Sequence, residues 1–252
     1  MMTGKVYLVG GGPGDPDLIT VKGLELLRRA DVVLYDSLVP PQLLNETREQ
    51  AELIPVGKRA GEHSMSQPEI DALLVAKAQT GRMIVRLKGG DPFVFGHGGE
   101  ECQALALAGI PFEVVPGVSS AIAGPAYAGI PLTHRELASQ FTVITARDRN
   151  GALPEWDNLP RSGTLVFLMG MARLAEIAAG LQTHGWLPQT PAAVIEQAAT
   201  PEQQVAVGTL ADIAEKAAGL GSPGIIIVGE VVSLSSLLHW FEPTIAFSYL
   251  EH

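Results

Sequence analysis

The sequence predicts an α/β protein of two domains with mostly parallel strands, and three observations carry that expectation. Strand-sized apolar runs alternate with amphipathic helical patterns along the whole length. A glycine-rich loop, Gly10-Gly11-Gly12-Pro13-Gly14, stands between one such run and one such helix, the arrangement that binds nucleotides. The pattern then starts afresh near residues 115–120, which predicts an N-terminal domain over 1–116 and a C-terminal domain over 117–252. A chain of 252 residues, 46% hydrophobic, has enough apolar side chains for both cores.

In order, strands are expected at VYLVG from residue 6, VVLYD from 32, ELIPV from 52, MIVRLKGG from 83 and FEVVPG from 112. Between them LITVKGLELLRRA, SQPEIDALLVAKAQTG and GHGGEECQALALAG carry helical spacing. Asp17 is a candidate cap for the first helix, and Ser66 or Gln67-Pro68-Glu69 marks a start, with proline in the first turn. In the second half SSAIAGPAYAG predicts a helix of small residues. It is followed by strands at FTVITA from 141, TLVFLMG from 164, AAVIEQA from 192, QQVAVGTL around 204 and GIIIVGEVV from 224. LAEIAAGLQTHG and LADIAEKAAGL are helices, each expected to end on glycine as a C′ residue. Two lobes of this kind are expected to leave a cleft that takes a ligand.

Composition removes several function classes. With 27 acidic against 17 basic residues the net charge is −10, which opposes binding to nucleic acid or to an anionic membrane through a general field. No apolar run approaches the roughly 20 residues that span a bilayer. Met1 is followed within a few residues by a strand, with no charged and apolar leader between, so a cytoplasmic location is expected. The single cysteine, Cys102, lies in a helical pattern and is expected to be a packed thiol. His63, His134 and His184 lack metal-ligand spacing, no metal site is expected, and Met65 and Met171 are expected to pack.

The first glycine loop fits neither common phosphate motif. Gly10 and Gly12 begin a dinucleotide fingerprint, but Asp15 stands where its third glycine belongs; a phosphate loop needs Gly-Lys-Ser/Thr, and Asp15 and Asp17 would repel a polyphosphate. Such a loop suits a ligand that is not strongly anionic, and S-adenosylmethionine, a sulfonium cation without phosphate, meets that condition. A second loop, RLKGGDPFVFGHGGEE over 86–101, again ends a strand with glycines before a helix. Two such loops at strand ends point to a binding site.

These loops, together with YDSLV (35–39), VGKRAGEH (56–63) and EVVPGVSSAIAGPAYAGIPLTHR (113–135), resemble the tetrapyrrole methylases from about residue 5 to 235. Within that family LKGGDPFVFG and VGKRAG resemble the enzymes that methylate uroporphyrinogen III. The resemblance implies two α/β domains with S-adenosylmethionine in the cleft, a homodimer, and successive methylation at C2 and C7 to precorrin-2, which feeds siroheme, cobalamin or haem d1. A sibling methyltransferase acting on a later precorrin is the alternative.

By motif, the resemblance implies that Pro13, Gly89, Gly90, Asp91, Val94, Ser119, Ser120, Met169 and Ala198 line the cofactor site. It implies that Asp36 accepts a proton and Lys58 donates one. For a substrate rich in carboxylates, Lys58, Arg59, Arg86, Lys88, His97, Arg135 and Arg147 are the candidate cations. The chain departs from the family pattern at His97, where arginine is usual, at Ala146-Arg147, where Gly-His is usual, and at Ala198, where glycine is usual.

Overall fold

In the computed structural model, which describes residues 3–57, 65–148 and 150–242, the five N-terminal apolar runs form one sheet. The chain divides into two units, Met1–Ser119 and Ser120–His252. In the first, β1 (Val6–Gly10) leads to α1 (Val21–Arg29), β2 (Val32–Tyr35), α2 (Pro41–Asn45) and β3 (Glu52–Pro55). α3 (Gln67–Ala78), β4 (Ile84–Lys88), α4 (Gly98–Leu107) and β5 (Phe112–Val115) complete it. The sheet runs β3-β2-β4-β1-β5 with every pairing parallel.

Both faces of this sheet are covered, which is why its strands are nearly continuous apolar runs. Alternation sends Val6, Leu8, Val32, Leu34 and Ile84 to one face, where they meet Ile70 and Leu74 of α3 and Cys102 and Leu105 of α4. Val9, Val33, Val85 and Leu87 go to the other, against Leu26 and Leu27 of α1. The helices start where local chemistry allows. Thr20 Oγ1, not Asp17, caps α1 by accepting from the Gly23 N–H at 3.1 Å, because Asp17 lies inside a short 3-10 turn that Asp15 caps. Ser66 and Glu69 form a capping box at α3, the Ser66 N–H donating to Glu69 Oε2 at 2.7 Å.

The second unit comprises α5 (Ser120–Tyr127), β6 (Phe141–Thr145), β7 (Thr164–Leu168), α6 (Leu174–Thr183) and β8 (Pro191–Glu196). Then come β9 (Gln204–Thr209), α7 (Ile213–Lys216), β10 (Gly224–Val228) and α8 (Ser235–Leu238). Its sheet runs β6-β7-β10-β8-β9. Here the expectation of mostly parallel strands is corrected: β6 and β7 are parallel, whereas β7–β10, β10–β8 and β8–β9 are antiparallel. β8 and β10 are buried on both faces, by α6 and α7 on one side and by α5 and Val231-Val232 on the other, so their sequences look like parallel strands. The helix ends differ from expectation too. Gly185, at φ +101°, follows the α6 cap as expected, but α7 stops at Lys216, before Gly219.

Candidate functional site

All strands of the first sheet end on the same edge, and the glycine loops lie there. β1 and β4 are neighbours, yet the chain leaves β1 for α1 on one face and β4 for α4 on the other. Loops that part to opposite faces from adjacent parallel strands open a crevice, the usual ligand position in such sheets. Gly12 and Gly90 bridge its floor: the Gly90 N–H donates to the Gly12 carbonyl at 2.7 Å and the Gly12 N–H to the Gly90 carbonyl at 3.3 Å. A methyl group on Gly10 would lie 2.5 Å from Gly117 Cα and 2.6 Å from the Gly90 carbonyl oxygen. Three strand ends therefore meet with no room for a side chain. Asp91 ties them together, Oδ1 accepting from the Phe93 N–H at 2.8 Å and Oδ2 from the Gly117 N–H at 3.0 Å.

The sequence-predicted cofactor residues of this unit thus gather at one edge. Pro13, Gly89, Gly90 and Asp91 are half-buried, Val94 is exposed, and Ser119 is buried a short distance beyond Gly117. In the second unit Ser120 begins α5, Met169 follows β7 at φ +59° and 55% exposed, and Ala198 follows β8. Gln197 and Ala199, flanking Ala198, also have positive φ, so non-glycine strain collects at these two strand ends. The Ala198 methyl is buried in the core with Ala121 and Ile225. What replaces the family's usual glycine therefore points inward.

Asp36, directly after β2, lies on the same edge of the first sheet, and charged groups surround it. Arg86 Nη2 donates to Asp36 Oδ1 at 2.5 Å, and Lys88 Nζ lies 4.0 Å from Oδ2. The Asp36 side chain is 27% exposed, whereas Arg86 and Lys88 are 2% and 1% exposed. Both cations turn to Glu101 of α4: Arg86 Nε and Lys88 Nζ reach its Oε1 at 3.0 and 2.9 Å. The expectation that Arg86 and Lys88 face substrate carboxylates meets two side chains turned into the core. Sequence reasoning passed over Glu101. The available signal was its place one turn before Leu105 on the buried face of α4, opposite a strand that carries two cations.

His97 precedes α4 in a left-handed conformation, φ +59°, with Nδ1 3.1 Å from Glu100 Oε1, and this contact holds the Glu100 carboxyl below its ordinary range. Arg147 is exposed after β6, its backbone N–H donating to Thr145 Oγ1 at 3.3 Å. Arg135 is exposed in an open hollow with Thr133, His134, Ala138 and Ser139. Lys58 and Arg59 lie outside the described residues, as does His63. Cys102 is buried, and burial pushes its thiol pKa up. No described helix is long and apolar enough to cross a membrane.

Comparison with known proteins gives one answer. Residues 5–214 match the tetrapyrrole (corrin/porphyrin) methylases. The siroheme synthase of Sodalis glossinidius is 52% identical over 240 residues, 94% of this chain and 51% of that protein. The chain thus spans about half the length of the siroheme synthases it matches. A uroporphyrinogen-III C-methyltransferase of Methanocaldococcus jannaschii is 50% identical over 92% of this chain and 98% of its own length. The Thermus thermophilus uroporphyrin-III C-methyltransferase, solved with S-adenosylhomocysteine, superposes with a TM-score of 0.81 at 43% identity, covering 91% of this chain and 93% of that one.

Proposed function

Because the chain belongs to the tetrapyrrole methylases, we propose that it methylates uroporphyrinogen III at C2 and then C7 with S-adenosylmethionine, giving precorrin-2 through precorrin-1. The observation that carries this reading is the placing of Asp36 on the same sheet edge as the two glycine loops, in a chain that matches an enzyme of that activity nearly end to end.

The residues suit the methyl donor. No cation stands within Gly10–Asp17 or Gly89–Phe95, while Asp15 and Asp91 do. Lys88, the nearest lysine before the second loop, is held in the core by Glu101 and is not available to cradle a phosphate. The loops therefore favour a cationic sulfonium over a polyphosphate. Pro13, the Gly89–Asp91 backbone, Val94, Ser119, Ser120, Met169 and the backbone at Ala198 are assigned to hold it.

When bound, the donor supplies an electrophilic methyl group, which an enamine-like pyrrole β-carbon takes as S-adenosylhomocysteine leaves. Holding the carbon in line is the protein's main contribution, and positioning of this kind reaches effective molarities of about 10⁵ M or more. Each transfer leaves a cationic ring that must lose one proton. Asp36, fixed through Oδ1 by Arg86, is assigned to accept it through Oδ2. Lys58 is assigned the complementary proton donation and Arg59 a substrate carboxylate. His97, Arg135 and Arg147, whose side chains face solvent, are further candidates for the carboxylates, whereas Arg86 and Lys88 are reassigned to holding Asp36. A homodimer acting in the cytoplasm goes with this reading.

The test is an anaerobic incubation with uroporphyrinogen III and labelled S-adenosylmethionine, followed by mass analysis of the oxidised product. Two added methyl groups are expected. No added methyl, with S-adenosylhomocysteine binding intact, would replace this substrate with a later precorrin.

A further inference from the structure

Arg86 and Lys88 occupy alternate positions of β4, so both side chains leave the sheet on the face that α4 covers. There they meet Glu101, which is 0% exposed and accepts both on a single oxygen, Oε1, with Gln67 Nε2 approaching the same atom at 3.5 Å. Its other oxygen, Oε2, is buried without a hydrogen-bond partner among the described residues. A buried carboxylate with an unpartnered oxygen is a poor packing choice, since apolar groups of the same volume are commonly neutral or stabilising in such a place. Packing alone does not account for it.

We infer that Glu101 is a positioning residue that sets the geometry of Asp36, an inference that rests on the proton-accepting role proposed for Asp36. By holding Arg86 Nε, Glu101 fixes the guanidinium so that its Nη2 meets Asp36 Oδ1 at 2.5 Å. By holding Lys88 Nζ at 2.9 Å, it keeps that ammonium 4.0 Å from Oδ2, outside hydrogen-bond reach. One oxygen of Asp36 is thereby fixed and the other kept open to take a proton. The four charges, two of each sign, cancel within the cluster. Without the negative charge of Glu101, Lys88 and the released Nε–H of Arg86 would turn to Asp36, the remaining acid of the cluster, and occupy the oxygen that has to accept the proton.

The test is a double-mutant cycle on the full chain: wild type, E101Q, D36N and E101Q/D36N. It is read as single-turnover methyl transfer to uroporphyrinogen III and as S-adenosylhomocysteine affinity by calorimetry. E101Q is expected to slow transfer by about tenfold or more while cofactor affinity stays within about twofold. The double variant is expected to be no slower than D36N, because Glu101 acts through Asp36. Transfer at the wild-type rate in E101Q overturns the inference, as does an E101Q loss that repeats in full on top of D36N. If D36N alone keeps the wild-type rate, the role of Asp36 falls and this inference with it, while the methyltransferase reading stands. A wild-type chain that adds no methyl group to uroporphyrinogen III brings down that substrate and, with it, the roles of Asp36 and Glu101 in its methylation. Should E101Q not accumulate folded, K88M/E101Q, which removes one charge of each sign, enters the same cycle with the same expected non-additivity.

Discussion

Asp36 and Arg86, 50 residues apart in sequence, form a 2.5 Å ion pair between the ends of the adjacent parallel strands β2 and β4. Register makes this possible: Tyr35 lies opposite Leu87, and the Asp36 N–H donates to the Leu87 carbonyl at 3.2 Å. The carboxylate is thus fixed both by its backbone and by its side chain. It is still 27% exposed on the edge where the glycine loops lie.

That placement predicts the behaviour of Asp36→Asn. The amide keeps the shape and can still receive a hydrogen bond from Arg86, but it cannot take a proton. Turnover should fall by about 10²-fold or more, in the range of a lost general base. S-adenosylhomocysteine affinity, measured by calorimetry, should be unchanged. An unchanged single-turnover rate removes Asp36 from the catalytic assignment.

Arg86→Leu should be far more damaging to the fold than its single changed charge suggests. It leaves Glu101, 0% exposed, with Lys88 as its remaining cation, and breaking a buried pair in this way costs about 3–5 kcal/mol. Arg28→Leu is the control, because its pair with Glu46 has side chains 54% and 39% exposed and should contribute no more than about 1 kcal/mol. Urea unfolding of the two variants beside wild type measures the difference.

Much of the fold was legible because each N-terminal strand is an apolar run closed by glycine, proline or aspartate, and each helix has its own spacing or cap. The Ser66–Glu69 box is an example. The direction of β10 was not legible. A strand covered on both faces reads the same whichever way its neighbours run, and only the short connection 197–203 between β8 and β9 hinted at an antiparallel pair. At the site, the glycine loops and Asp36 were visible as local motifs. The burial of Arg86 and Lys88 was not, because it depends on Glu101, 13 residues beyond Lys88 and on another element. Two cations in a central apolar strand demand a buried acid, and the demand is satisfied only in three dimensions.

Gly90→Val and Gly99→Ala should separate a site glycine from an idle one. Gly90 has φ +65° and shares two backbone hydrogen bonds with Gly12, so a β-branched side chain there forces the crevice floor apart and strains the backbone by about 1–2 kcal/mol or more. S-adenosylhomocysteine binding should be lost in calorimetry. Gly99 lies in α4 with nothing within 4 Å of an added methyl, so alanine there should leave binding intact and stabilise by about 0.4–1 kcal/mol. Unaltered affinity in Gly90→Val would move the cofactor away from this loop.

Acid should weaken the fold in a defined window. Hydrogen bonds from Lys22 and Lys5 hold the Glu113 carboxyl down at about 2 against an ordinary 4.5, and Lys216 with the Thr209 N–H holds Asp212 at about 2 against 3.8. For both groups the unfolded chain binds the proton more tightly. The stability they contribute is therefore complete above the ordinary values and drains away as pH falls toward about 2. Melting temperatures followed from pH 6 downward should drop most steeply below about 4.5, and Glu113→Gln should flatten that drop while lowering the plateau above it. The pairs are partly exposed, so the difference between Glu113→Gln and wild type should shrink in about 1 M salt, where screening acts within roughly 3 Å. A Glu113→Gln curve parallel to wild type through this range would show that the Lys5–Glu113–Lys22 cluster, which joins α1 and β5 to the residue before β1, adds nothing to the fold.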